Sequence, residues 1–336
     1  MAWTLGEKAA SMLWQAVVGI VVARQLMPED YGLMAILTVF VTLALVVVDS
    51  GFSQALIRAK EPSQEEYSSV FGFNLLSSIL LYGVALLAAP LMARFFEQPL
   101  LSEIAPILFL ILPINALCVI QQALCARRLS FDTLSKVVFL SNFVSGALAV
   151  AMALMGWGVW SLVAQRLAAM AIKALLLWIA TRWRPTLRFR LDALRQMAPF
   201  SLRLMATDLI STLYNNIAQL FLGKLHSAQL LGYFNQAQKL KDLPVLALQQ
   251  SLQSVTFPAL SRIKEDQPRL VESYRQLLVV VSALLFPVMV GLVAVAPDLF
   301  RLLLGERWMP TVPYFEILTL TGLFLPLASV AYNLLK

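Results

Sequence analysis

Apolar residues occur along this chain in continuous blocks, separated by short segments that hold most of its charges. A helix crossing a bilayer core needs about 20 mostly apolar residues. Ten such spans are predicted, at 9–26, 33–56, 69–92, 104–124, 137–156, 158–180, 198–222, 228–256, 276–296 and 312–334. The blocks are unbroken and do not alternate, which excludes the short alternating strands of a membrane β-barrel. The eighth span differs from the rest. It contains Gln236, Lys239, Lys241 and Asp242 ahead of Pro244, a pattern that also suits a helix lying at the membrane surface. Gly156-Trp157-Gly158 leaves so little chain between the fifth and sixth spans that these two must form a helical hairpin.

Composition agrees with this pattern. Of 336 residues, 60% are hydrophobic and 13% charged, against about 25% charged in ordinary soluble domains, and the mean hydropathy is +0.77. The expected fold class is an all-α polytopic membrane protein. The net charge of +7 does not indicate nucleic acid, because the basic residues sit between apolar blocks and not on one polar surface. Their distribution instead sets orientation. With the N-terminus inside, sixteen Lys and Arg fall in inner segments and five in outer ones, so the N-terminus is expected in the cytoplasm. The longest and most basic inner connection, TRWRPTLRFRLDALRQ (181–196), is expected at anionic headgroups, joining two halves. A cleaved signal peptide is not expected, since the run from Ala9 to Leu26 continues directly into RQLMPEDYG.

The two halves appear as an internal repeat. ALIRAK (55–60) recurs as ALSRIK (259–264) and APLMAR (89–94) as APDLFR (296–301), at offsets of 204 and 207. Pro106 pairs with Pro313 at the second offset, and RQLMPEDYGLMA (24–35) has a looser echo in GKLHSAQLLGYFNQA (223–237), with Gly32 and Gly232 200 apart. Spans one to four therefore repeat as seven to ten in the same orientation, which predicts pseudo-symmetric halves related by an axis along the membrane normal. The expected domains are a six-helix lobe at 1–180, a basic linker at 181–197 and a second lobe at 198–336. Counterparts of spans five and six would lie beyond Lys336, so the chain is expected to be a truncated form of a longer transporter, with four helices in its second lobe.

Ionisable groups inside a bilayer cost about 2.5 to 3.5 kcal/mol each on the insertion scale, and so face a cavity or one another. Asp49, Arg166, Lys173, Arg203, Asp208, Lys239, Lys241 and Asp242 fall within spans. Arg166 has no acidic residue in its own span, leaving an anionic ligand or an ion pair with Asp49 or Asp208 as alternatives. Lys239 and Lys241 either face the cavity or snorkel to the interface. Asp208, Asn215 and Gln219 share one helix face, joined by Asn216, and such a stripe is either helix-helix glue or the wall of a wet cavity. Gln54 is a further amide that could meet sugar hydroxyls or a neighbouring helix. The candidate substrate-binding residues are thus Arg166, Arg203, Lys239, Lys241, Gln54 and Asn216, and the coupling or ion-pair candidates are Asp49 and Asp208. Nucleotide-binding and hydrolase motifs are absent from the sequence. With one histidine and two cysteines seven apart, no zinc site, disulfide framework or cofactor is expected.

ARQLMPEDYGLMAI (23–36), followed by DSGFSQALIRAK (49–60), resembles the Wzx-type polysaccharide and lipopolysaccharide flippases of the multidrug, oligosaccharidyl-lipid and polysaccharide exporter superfamily. Residues 230–264 and 302–322 are similar to the same family, closest to the branch that includes colanic acid exporters. The resemblance implies two six-helix lobes in a V around a central cavity. It also implies passage of undecaprenyl-diphosphate-linked oligosaccharide across the bacterial inner membrane, with polymerase or assembly proteins as partners. The family pattern has twelve or more helices against the ten read here, and no short catalytic motif to transfer. An excess of basic over acidic groups within the spans favours an anionic substrate over the rival reading, a drug/cation antiporter of the same superfamily. A third reading is a non-transporting membrane scaffold of a glycan assembly complex.

Overall fold

The computed structural model describes residues 2–128, 131–186, 188–261 and 267–322. Every regular element among them is helical. In chain order these are α1 (Ala2–Gln25), α2 (Pro28–Asp49), α3 (Phe52–Arg58), α4 (Gln64–Phe95), α5 (Leu101–Leu108), α6 (Ile111–Arg127), α7 (Phe131–Leu154), α8 (Val159–Thr181), α9 (Leu191–Leu225), α10 (Ala228–Ser261), α11 (Gln267–Ala294), α12 (Ala296–Leu303), a 3-10 turn (Glu306–Thr311) and α13 (Val312–Gly322). The chain is an all-α, multi-pass membrane protein. Among the described residues five segments are long and apolar enough to cross a bilayer: Pro28–Asp49, Gln64–Phe95, Leu101–Arg127, Asp132–Leu154 and Val159–Thr181. Leu278–Ala294 and Ala296–Leu303 make a sixth if their 69° bend lies within one span. The residues form two compact units, Met1–Leu231 and Gly232–Lys336.

Three predicted spans are interrupted. The second, expected to run unbroken through 33–56, stops at Ser50 and Gly51, whose φ angles are +48° and +70°. A glycine adopts that left-handed region freely, so the helix ends here and α3 starts in a new direction. The fourth breaks at Phe109–Leu110 between α5 and α6, and the ninth bends at Val295. The tenth is described only as far as Gly322; residues 323–334 of that prediction lie outside the described residues.

The repeat is visible in these breaks. Two-residue turns at Leu26–Met27 and at His226–Ser227 separate α1 from α2 and α9 from α10, 200 positions apart. The halves diverge at Gly51. Its counterpart at the ALIRAK offset is Val255, and α10 runs straight past it to Ser261. APLMAR likewise stays within α4, whereas APDLFR forms the separate α12.

In the first unit the Gly156 and Gly158 turn, with φ of +81° and +52°, closes the expected α7–α8 hairpin, and α1 packs on α7. The Trp14 ring lies 4.4 Å from that of Phe143 at this crossing, over Gly146. The basic linker is a folded strap. Trp183 is buried with Phe71 and donates through Nε1 to Gln64 Oε1 at 2.8 Å, and Gln64 Nε2 donates to the Arg184 carbonyl at 2.6 Å. The Thr186 and Arg190 amides donate to Ser68 and Ser69 Oγ at 2.9 and 2.8 Å, and Arg188 pairs with Glu65 at 3.3 Å. The first turns of α4 thus hold an extended chain that has no strand partner. Arg127, at the end of α6, donates to the carbonyls of Leu56, Ile57 and Lys60 at 2.8, 3.2 and 2.9 Å and satisfies the C-terminus of α3.

In the second unit Trp308, Phe300 and Phe315 are almost wholly buried. The rings of Phe300 and Phe315 are 5.2 Å apart, and Tyr233 meets Trp308 edge-on at 6.1 Å. Val245, Leu285 and Met289 form a further cluster between α10 and α11.

Gly32 sets how closely α2 approaches the start of α10, because a Cβ there would lie 1.7 Å from the Ala228 carbonyl oxygen. Gly32→Ala is therefore expected to force the two apart at a cost of about 1–3 kcal/mol, read as a lower thermal unfolding midpoint of the purified protein. An unchanged midpoint would show that this crossing does not limit the packing.

Candidate functional site

Polar residues recur along α9. At 35 residues this helix is about 50 Å long, more than a bilayer core requires. Its periodicity of 3.6 residues sorts the side chains into two arcs. Ser201, Asp208, Asn215 and Gln219 share one arc, and Ile210, Tyr214, Ile217 and Phe221 a broadly opposite one, with Thr207 and Ser211 between them. Tyr214 is 79% exposed and Ile210 71%, as lipid-facing side chains should be. On the polar arc Asp208 and Asn215 are exposed too. With α9 in the bilayer, as the seventh predicted span expects, hydrocarbon could not accommodate a carboxylate there and this arc would meet water or an ion.

Two close approaches fix α9 against the first unit. Near its N-terminal end a Cβ on Gly51 would sit 2.8 Å from the Ser201 carbonyl and 3.3 Å from Leu204 Cβ, and the Arg58 guanidinium lies 4.8 Å over the Phe200 ring. At the far end Gly223 packs on Ile36 of α2 and on Leu231. Asp208 and Asn215 lie between these anchor points. Asp49, the last residue of α2, accepts from the Ser53 hydroxyl and backbone N–H, and Asp208 is close enough to act on it electrostatically. The Oδ1 atom of Asp49 is buried and has no hydrogen-bond partner among the described residues.

A second polar face lies on α8, which packs against α6 and α7. Arg166 and Lys173 are seven residues apart and so point the same way. Lys173 donates to Gln122 Oε1 on α6 at 3.0 Å. Arg166 is half-buried and makes no hydrogen bond or ion pair among the described residues.

The other sequence candidates are dispersed. Arg203 is exposed, with no ion pair among the described residues, and the helical period puts it on the apolar arc of α9, three turns from the helix start, where a long side chain can reach the interface. Gln54 is exposed on α3. Asn216 is half-buried and donates to the Thr212 carbonyl of its own helix at 2.7 Å. Lys239 is exposed on α10. Lys241 is 5% exposed, paired with Asp242 at 2.8 Å, its stem against Gly322. The charge of Asp208 reaches Asp49, whereas no acidic group acts on Arg166, whose charge is unmatched among the described residues. Sequence reasoning passed over Ser201, whose side chain is fully buried at the Gly51 contact, and the capping role of Arg127. The available signal for the first was the Asp-Ser-Gly that ends α2, since a glycine placed there marks a point of close backbone approach.

A family model described as "Polysaccharide biosynthesis protein" matches residues 21–313. Teichuronic acid biosynthesis protein TuaB of Bacillus subtilis is 28% identical over 83% of this chain and 58% of its own length. Succinoglycan biosynthesis transport protein ExoT of Rhizobium meliloti is 24% identical over 98% of this chain and 67% of its own length. Lipopolysaccharide biosynthesis protein WzxC of Escherichia coli is 26% identical over 90% and 62%. The chain therefore spans about three-fifths to two-thirds of the length of these relatives. The lipid II flippase MurJ, in an inward closed conformation, shares the fold with a TM-score of 0.69 over 96% of this chain and 73% of that one, at 13% identity.

If the polar arc of α9 faces water, then in a protein whose buried Cys118 and Cys125 are replaced by Ala, Asn215→Cys reacts with a membrane-impermeant thiol reagent and Ile217→Cys does not. Equal labelling of the two would mean that α9 has no wet side.

Proposed function

Because the chain belongs to the polysaccharide biosynthesis protein family, we propose that it is a transporter that flips lipid-linked oligosaccharide units. They would be carried on undecaprenyl diphosphate and would pass from the cytoplasmic to the periplasmic leaflet of a bacterial inner membrane, for surface polysaccharide biosynthesis. The observation that carries this reading is the exposed polar arc of α9 within a bilayer-length helix, with Asp208 and Asn215 uncovered. Relatives named for teichuronic acid, succinoglycan transport and lipopolysaccharide biosynthesis, and the fold shared with a lipid II flippase, support the same substrate class.

The chemistry of such a substrate matches what the spans provide. A glycan needs hydrated surroundings and amide or hydroxyl partners throughout the crossing, and the polar side of α9, with Thr207, Ser211 and Asn215 exposed, provides both. A diphosphate carries negative charge into a low-dielectric region and needs a cation to offset it. Arg166, half-buried and without an ion pair among the described residues, is that cation in this reading. The polyprenyl tail stays in the lipid, where the apolar arc of α9 imposes no barrier. Alternating access to the two sides would move the headgroup, with the N-terminus in the cytoplasm and no catalytic chemistry required.

Arg166→Ala is expected to reduce surface polysaccharide by about tenfold or more, the value of a lost hydrogen bond to a charged group, when expressed from the native locus in a strain lacking the wild-type gene. Arg166→Lys should retain part of the export. Full export by Arg166→Ala at equal protein level would take Arg166 out of the substrate path.

A further inference from the structure

The basic strap carries an interaction surface of its own. Three segments of bilayer length start or stop where it docks: Gln64–Phe95 begins there, and Leu101–Arg127 and Val159–Thr181 end there. They are held level by the bonds from Gln64 to the Arg184 carbonyl and from Arg127 to the Lys60 carbonyl, and by the contacts among the Phe71, Trp178 and Trp183 rings. With these helices in a bilayer, its surface passes through this end of the unit. Residues 58–66, 127–128 and 182–195 gather nine basic side chains against four acidic ones there.

The strap is held by its backbone and its tryptophan, which leaves its guanidinium groups unused. Ser68, Ser69 and Gln64 take up the main chain, and Trp183 is buried. Arg188 and Arg190 share the one carboxylate of Glu65, at 3.3 and 3.9 Å, and the Arg188 side chain stays 83% exposed. Glu66 is occupied by the Ser63 amide at 2.6 Å. Arg182, Arg184 and Arg195 are exposed and have no ion pair among the described residues. Beside them two apolar side chains are exposed as well, Phe189 by 53% and Leu191 by 62%. The Phe189 ring lies 3.4 Å from the position a Cβ on Gly72 would take. Gly72 is eight residues into α4, about 12 Å along it, so the ring reaches down the apolar span while the arginines stay at its end. A soluble anion would use the arginines and leave Phe189 and Leu191 without a role. Basic groups at phosphate level with apolar groups beneath them are what a segment lying in the headgroup region needs.

We infer that the strap is a binding surface for anionic phospholipid. Arg182, Arg184, Arg188, Arg190 and Arg195 hold the phosphodiester headgroups, to which a guanidinium can donate two parallel bonds, and Phe189 and Leu191 enter the acyl boundary beneath. Because the strap runs directly into α9, lipid bound here fixes the point at which α9 enters the bilayer. The surface is distinct from Arg166, which lies roughly 22 Å away along α8, and it requires no transport by this chain.

The test is native mass spectrometry of the purified chain titrated with phosphatidylglycerol or with phosphatidylcholine. Phosphatidylglycerol should bind more tightly, and added salt should erode the difference. Arg182→Gln, Arg184→Gln and Arg195→Gln, whose side chains make no ion pair to lose, should together weaken phosphatidylglycerol binding by about tenfold or more, at a few-fold for each basic residue at an anionic surface. Arg94→Gln, exposed at the opposite end of α4, should bind as wild type. The wild-type comparison of the two lipids judges the surface even where the triple variant fails to fold. Equal binding of the two lipids, an equal loss in Arg94→Gln, or a folded triple variant that binds phosphatidylglycerol as wild type would overturn the proposal. So would a triple variant that loses undecaprenyl diphosphate but keeps phosphatidylglycerol, which would make the strap a substrate site. Each of the first three results leaves the flippase reading standing.

Discussion

A bilayer core solvates neither a backbone amide nor a charged side chain, so every polar group within a span must find its partner in the protein or in a water-filled path. Much of this chain satisfies that constraint locally. Thr42 and Ser69 bond back to the carbonyls four residues earlier, Trp178 Nε1 donates to the Leu117 carbonyl at 2.9 Å, and Lys173 is held by Gln122. Where the backbone itself is interrupted the same need is met from a distance, by Arg127 at the end of α3 and by Gln64, Ser68 and Ser69 along the strap. The groups left over are therefore informative. Asp49 Oδ1, Ser201 Oγ and both amide atoms of Asn74 and Gln121 are buried without a partner among the described residues, and Arg166 sits alone on α8.

This division also separates structural polarity from functional polarity within the set of candidates. Lys241 has its counter-charge in Asp242, and Asn216 donates to its own helix, so both have structural partners already. Arg203 is exposed on the apolar arc of α9 toward its N-terminal end, where a long side chain can snorkel to a membrane interface. Arg166 has none of these outlets. Its charge has to be met by an anion or by water, and in the proposed function that anion is the headgroup of the lipid-linked substrate.

The helical class and most spans were legible in the sequence because continuous apolar blocks of bilayer length have one physical interpretation. The α7–α8 hairpin was legible too, since Gly156 and Gly158 leave only one way to turn. The break at Ser50–Gly51 was not, because a short polar Asp-Ser-Gly inside an apolar block does not by itself end a helix, and the left-handed backbone of Ser50 and Gly51 is what interrupts it. The polar face of α9 could be read from spacing alone, whereas its closeness to Asp49 is a tertiary fact that no local pattern encodes. The basic linker was legible as a charge cluster but not as a strap, since its anchors are serines and a glutamine on α4 that look unremarkable in sequence.

Movement of a glycan headgroup past α9 is the central claim, and leaflet exchange measures it directly. The purified protein would be placed in vesicles that contain an undecaprenyl-diphosphate oligosaccharide with a fluorophore on the glycan, and a membrane-impermeant quencher would be added outside. A flippase brings the inner-leaflet pool out to the quencher, so fluorescence should fall steadily to near zero, and more slowly when Arg166 is replaced. An inner-leaflet pool that stays protected, as it does in protein-free vesicles, would contradict flipping by this chain.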